Sequence, residues 1–128
     1  MTPAIHHVDL LMSDYHATER FYREVLGWPI IRRSGKGAEG WVDFIGEPPA
    51  DVEPLLLAVQ LAGGAYLAFV KGRAPDYRED EPHIAVRITD PGALLERLAS
   101  HRVPVEVNPG ENMAFYDPSG LRIEVYEE

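Results

Sequence analysis

His7-Val-Asp-Leu-Leu-Met-Ser-Asp14 and His83-Ile-Ala-Val-Arg-Ile-Thr-Asp90 are the two stretches whose reading decides the fold of this chain. In each, a histidine opens a short apolar run of strand character. An aspartate seven residues later stands where a helix N-cap belongs. After Asp14, the residues Phe21, Val25 and Leu26 recur at helical spacing until Gly27 and Pro29 stop the pattern. After Asp90, Pro91 suits a first helical position, and Leu94, Leu95 and Leu98 line one apolar face. The same strand-then-helix unit therefore occurs twice, which is the mark of tandem modules.

Each helix is followed by short strand-like runs separated by turn residues. In the first half these are residues 29–33 running on through 41–45, then 55–61 and 65–70. In the second half they are 104–107, 113–116 and 121–126. Asp117-Pro118-Ser119-Gly120 and Gly63-Gly64 supply the turns before the last strand of each half. The expected architecture is α+β, one domain over residues 1–128 built from two tandem βαβββ modules. Module one covers about residues 4–72, a linker about 73–82, and module two about 83–128. The first module is the longer, and its surplus at residues 34–40 and 46–54, rich in Gly and Pro, reads as loops at a cavity rim.

Composition narrows the function classes. With 12 Lys plus Arg against 21 Asp plus Glu, the 128-residue chain carries a formal charge of −9, and its longest basic run is Arg32-Arg33. Such a surface repels a phosphate backbone, so no nucleic-acid partner is expected. The longest uncharged run, Pro54 to Val70, has 17 residues and contains Gln60 and Gly63-Gly64; it is too short and too broken for a membrane span. The first residues carry no basic n-region or apolar h-region, so a cytoplasmic protein is expected. There are no cysteines, which leaves His and carboxylate as the available ligands for a metal.

Alternation along the strands sorts the polar residues by face. In the first strand His6, Val8, Leu10 and Met12 form the more apolar, helix-facing side, and Ile5, His7, Asp9 and Leu11 share the other. In the strand opening the second module Ile84, Val86 and Ile88 face the helix, leaving His83, Ala85 and Arg87 opposite. In the last strand Leu121, Ile123 and Val125 pack, leaving Arg122, Glu124 and Tyr126 opposite. His7, His83 and Glu124 thus fall on the non-helix faces of three strands. Two imidazoles and one carboxylate suit a divalent transition metal with positions left open for water or substrate. Asp9, on the same face as His7, is a candidate general base, with Tyr126 and Gln60 as further cavity candidates.

These residues carry a resemblance. The chain resembles the vicinal-oxygen-chelate superfamily, which includes glyoxalase I, extradiol dioxygenases, fosfomycin-resistance thiol transferases, methylmalonyl-CoA epimerase and bleomycin-resistance proteins. Carrying it are His7 with Asp14, the stretch from Phe21-Tyr22 to Leu26-Gly27-Trp28, His83 with Asp90, and Asp117-Pro118-Ser119-Gly120-Leu121-Arg122-Ile123-Glu124. It spans nearly all of residues 5–126. The implied fold is a pair of βαβββ modules whose curled mixed sheets enclose a metal-bearing cavity on the non-helix face.

The superfamily's metal ligands map onto His7, Ala68, His83 and Glu124, so one of the four positions is vacant. That departs from glyoxalase I and from methylmalonyl-CoA epimerase, which both use a ligand there. Two His and one Glu match the extradiol dioxygenases and the fosfomycin transferases. Ala114, however, replaces a dioxygenase tyrosine, His101 is the nearest candidate for a dioxygenase histidine, and Asp9 replaces a transferase threonine. The resemblance implies an enzyme that chelates and polarises a substrate oxygen through one divalent ion (Fe, Mn, Zn, Ni or Co), as a lyase, isomerase, transferase or dioxygenase. It further implies a homodimer in which His7 of one copy meets His83 and Glu124 of the other. The alternative is a metal-independent, bleomycin-resistance-type protein that sequesters a cationic drug or metabolite, with Trp28, Trp41, Phe44 and Tyr66 available for stacking.

Overall fold

The computed structural model describes residues 1–72, 83–108 and 112–128, so the expected linker at 73–82 lies outside the described residues. The elements of the first module are β1 (His7–Met12), α1 (Tyr15–Arg20) continuing as a π-helical turn (Phe21–Val25), β2 (Ile30–Gly37), β3 (Gly40–Asp43), β4 (Glu53–Gln60) and β5 (Tyr66–Lys71). Those of the second are β6 (His83–Ile88), α2 (Pro91–Ser100), β7 (Glu106–Asn108), β8 (Asn112–Tyr116) and β9 (Arg122–Glu127). The repeat is real down to its caps. Asp14 accepts from the backbone N–H of Ala17 at 3.1 Å, and Asp90 accepts from that of Ala93 at 3.0 Å. Each aspartate thereby satisfies an amide that the first helical turn leaves without a partner.

Two mixed sheets result, ordered β1-β5-β4-β2-β3 and β6-β9-β8-β7. In both, the first strand of the module lies at an edge, parallel to the last strand and hydrogen-bonded to it. One expectation is corrected here. Residues 34–40 are not simply a rim loop, because β2 runs on to Gly37 and turns into β3 as an antiparallel hairpin, pairing Ser34 with Asp43 and Gly37 with Gly40. Gly35 makes this possible: a Cβ there would stand 2.1 Å from the carbonyl oxygen of Glu53 on β4. The first module therefore carries four strands after its helix.

The helix-facing sides of both sheets bury one shared core. Met12, Tyr22, Leu57, Phe69, Leu98, Phe115 and Ile123 are fully buried, each worth about 1.5–3 kcal/mol of transfer from water. Expected alternation appears in burial. Ile84, Val86 and Ile88 are half-buried between the exposed His83, Ala85 and Arg87, and Ile123 and Val125 are buried where Arg122 and Glu124 are only half so.

Side-chain hydrogen bonds among the described residues pin the modules together. The Tyr22 hydroxyl donates to Asp117 Oδ2 at 2.8 Å, the backbone N–H of Ser13 donates to Ser119 Oγ at 3.1 Å, and Arg97 donates to the carbonyls of Val25 and Glu24 at 3.0 and 2.8 Å. Arg97 thus places a cation on the negative, unpaired end of the first helix. Gly27 ends that helix with φ +72°, and a Cβ there would approach Arg97 Nη2 to 2.9 Å. Among the described residues, no helix is long and apolar enough to cross a membrane.

Candidate metal centre

The parallel edge pairs place the site residues at equivalent points of the two modules. In the second, β6 runs beside β9 with His83 opposite Arg122 and Ala85 opposite Glu124. In the first, β1 runs beside β5 with His7 opposite Tyr66 and Asp9 opposite Ala68. Ala68 therefore occupies in module one the place that Glu124 holds in module two, and its buried methyl group offers no ligand.

In module two the geometry is specific. His83 Nε2 lies 3.6 Å from Glu124 Oε2. The same carboxylate is held at both ends, its Oε1 by the Tyr126 hydroxyl at 3.0 Å and its Oε2 by Arg122 Nε at 3.2 Å. Arg122 is itself braced, donating through Nη1 to Glu106 at 2.7 Å and to the Tyr116 hydroxyl at 3.2 Å. The hydrogen bond from Tyr126 leads the effects that hold the Glu124 carboxyl below its ordinary 4.5. Arg122 and the nearby His83 add to it, and together they outweigh partial burial. Glu124 is accordingly an ionised, oriented carboxylate at neutral pH, with its side chain 17% exposed beside a His83 that is 46% exposed.

In module one His7 stacks on Tyr66, with centroids 5.0 Å apart and planes within 8°. Its Nδ1 lies 2.8 Å from Nδ1 of His6, and its Nε2 lies 3.6 Å from Asp9 Oδ1. Asp9 is exposed, with two thirds of its side chain (67%) open to solvent.

The structure thus brings His83, Glu124 and Tyr126 together, and separately His7 with Asp9. Among the described residues of one chain, no three His, Asp or Glu side chains converge on a single ion position. Among the described residues, His7 does not join His83 and Glu124 at one ion position within the single chain. The pair that is formed fits a metal, since two donor atoms 3.6 Å apart can both reach one ion at about 2.0–2.2 Å.

Arg122, Tyr116 and Glu106 were not picked out from the sequence. Strand alternation had put Arg122 on the face of Glu124, but the partners that brace it come from β7 and β8 and have no signature of their own. Of the four aromatic residues considered for stacking, Trp28 and Phe44 pack against the core and Tyr66 against His7. Trp41 stands 53% exposed, with Lys36 Nζ 5.8 Å from its ring centroid.

Comparison with known proteins agrees with this fold. The family model described as "Glyoxalase/Bleomycin resistance protein/Dioxygenase superfamily" matches residues 4–125. The uncharacterized protein YaeR of Escherichia coli (strain K12) is 25% identical over an alignment covering 97% of this chain and 95% of its own. Among solved structures, the fosfomycin resistance protein FosX from Listeria monocytogenes, complexed with Mn(II) and sulfate, superposes with a TM-score of 0.69. It is 19% identical, over 100% of this chain and 94% of that one. Lactoylglutathione lyase from Agrobacterium tumefaciens gives a TM-score of 0.62 at 21% identity, over 98% and 94% of the respective chains.

Proposed function

The chain belongs to the glyoxalase/bleomycin resistance protein/dioxygenase superfamily, and on that basis we propose that it is a metal-dependent enzyme acting on a small organic molecule. The observation that carries the reading is the His83–Glu124 pair, 3.6 Å apart on an open sheet face, with His7 at the equivalent point of the other module. His7, His83 and Glu124 hold one divalent ion. Because the single chain keeps His7 apart from the other two, the site is completed in a homodimer, where His7 of one copy faces His83 and Glu124 of the other. The Mn(II) in the FosX complex supports a divalent ion for this fold.

When bound, the ion supplies Lewis acidity, polarising a substrate oxygen that chelates it. The chain's own residues do the rest. Tyr126 and Arg122 fix the two Glu124 oxygens so that the carboxylate does not have to reorganise on binding. Tyr66 holds the His7 ring flat against it. Asp9, exposed and with Oδ1 3.6 Å from His7 Nε2, is the group placed to take a proton beside His7. Tyr126, with its hydroxyl given to Glu124, serves the site through that carboxylate.

Metal analysis of the purified protein tests this. Near-stoichiometric metal is expected in the wild type and its loss in His83→Ala and Glu124→Ala; unchanged metal content in either variant would end the triad assignment. The second reading, metal-independent sequestration of a cationic molecule, predicts binding that survives chelation. It is weakened by the packing of the half-buried Trp28 and Phe44 against the core, which leaves Trp41 as the most open of its stacking rings.

A further inference from the structure

Strand alternation assigns His6 to the helix-facing side, but β1 begins only at His7, and His6 stands outside its alternation. Its ring comes round to the other face. It meets the His7 ring edge-on, with centroids 5.0 Å apart and planes at 75°, and the Tyr66 ring in the same way, at 5.5 Å and 70°. Tyr66, already flat against His7, therefore carries two imidazoles, and its backbone N–H donates to the carbonyl of His6 at 3.2 Å. Both histidines are exposed.

The two rings approach each other through one nitrogen each, with His6 Nδ1 2.8 Å from His7 Nδ1. Neutral imidazole nitrogens this close share either one proton or one metal ion. At ordinary metal–imidazole lengths of about 2.0–2.1 Å, that separation closes an angle of about 85° at a shared ion. Such an angle belongs to an octahedral or tetragonal centre and is too narrow for a tetrahedral one.

Two further observations favour the ion. Module one has Ala68 at the place where Glu124 stands in module two, so it is short of one ligand beside His7. The other ring nitrogen of His7, Nε2, lies 3.6 Å from Asp9 Oδ1. A metal-bound imidazole characteristically presents its second N–H to a carboxylate, which fixes the tautomer and strengthens the ring as a donor. Metal at Nδ1 with Asp9 beside Nε2 is that arrangement, and Asp9 keeps its second oxygen for proton transfer.

We propose that His6 is a further ligand of the metal centre, which then holds its ion by three imidazoles and one carboxylate: His6 and His7 of one copy, His83 and Glu124 of the other. The inference rests on the metal-dependent reading above and adds the kind of ion. The narrow angle between His6 and His7 suits a divalent ion that accepts six ligands, Mn, Fe, Co or Ni, over tetrahedral Zn. Four protein ligands leave two of those positions for water or substrate.

Titration of the full chain with Ni(II) and Co(II) against a chromogenic chelator, for wild type, His6→Ala, His7→Ala and Glu124→Ala, tests the proposal. His6→Ala, a change at an exposed residue, is expected to keep the fold by circular dichroism. It is expected to bind Ni(II) at least about tenfold more weakly, the least that even the loss of a residue supporting a ligand costs. In the Cu(II)-loaded protein, the nitrogen couplings seen by electron paramagnetic resonance are expected to fall from three imidazoles to two. Bound Co(II) is expected to show the weak d–d bands of a five- or six-coordinate ion. Unchanged affinity in His6→Ala, with the ion lost in His7→Ala and Glu124→Ala, would overturn the role of His6 and leave the other three ligands standing. Weaker binding with an unchanged number of nitrogen couplings would overturn it too, making His6 a support for His7, and intense tetrahedral Co(II) bands would contradict the angle. A wild-type chain that takes up neither ion would remove the metal-dependent reading itself, and this inference with it.

Discussion

The Tyr22 hydroxyl reaches across the module boundary and donates to Asp117 Oδ2 at 2.8 Å, inside the shared core. Asp117 Oδ1 also accepts from the backbone N–H groups of Ser119 and Leu121, at 2.8 and 3.0 Å. One carboxylate therefore shapes the turn leading into β9, the strand that carries Glu124, and anchors that turn to the first helix. Tyr22→Phe leaves Asp117 one donor short in a buried place. The expected loss is about 1–3 kcal/mol in denaturant unfolding. Stability unchanged within error would show that the bond is dispensable.

The two helix ends offer a matched pair of backbone tests. Gly27 has φ +72° with Arg97 pressed against it, so Gly27→Ala is expected to cost more than about 1 kcal/mol. Arg102 holds φ +59° after α2, where the amide of Val103 donates to Leu98 at 2.9 Å and that of Arg102 to Ala99 at 3.0 Å. That pattern is a Schellman ending with arginine at the position glycine prefers. Arg102→Gly is therefore expected to raise stability by about 0.5–1 kcal/mol, read as an upward shift in Tm.

Burial alone would push the Glu19 carboxyl up, but hydrogen bonds from Arg23 and Arg33 outweigh it and hold the group below 4.5. A carboxyl whose folded pKa is depressed binds fewer protons folded than unfolded. Its contribution is present above pH 4.5 and lost as the pH falls through the folded value. Glu19→Gln is thus expected to destabilise the protein at pH 7 and to match wild type at the acid end of a stability profile. A penalty constant across pH would mean that packing, not charge, is what Glu19 contributes.

Tyr126 is expected to act on metal binding through Glu124. Tyr126→Phe should loosen the ion by about ten- to hundredfold in a competition titration with a chromogenic chelator, with the fold intact by circular dichroism. An affinity equal to wild type would remove Tyr126 from the site.

The modular fold was legible because it is written in local rules. Asp14 and Asp90 cap their helices, and Ile84, Val86 and Ile88 alternate with His83, Ala85 and Arg87 as a strand with one packed face must. The β2–β3 hairpin was not, because Ser34 and Gly35 look like loop residues. Their strand conformation depends on Gly35 lying against the Glu53 carbonyl of β4, a contact distant in sequence. At the site, strand parity put His83 and Glu124 on the same kind of face, but their adjacency depends on β6 lying parallel beside β9. The bracing of Arg122 by Glu106 and Tyr116 was not legible either, since it depends on the register of β7 against β8 and β8 against β9.

The central claim is that two copies of this chain complete a metal site that neither holds alone. The most direct measurement is metal content after co-refolding the single variants His7→Ala and Glu124→Ala. Each variant by itself is expected to be metal-free. A mixed dimer retains one intact combination, His7 from one copy with His83 and Glu124 from the other, so one ion per isolated mixed dimer is expected. A mixed dimer as empty as its parents, or a wild-type chain that binds a full complement of metal as a monomer, would contradict the account.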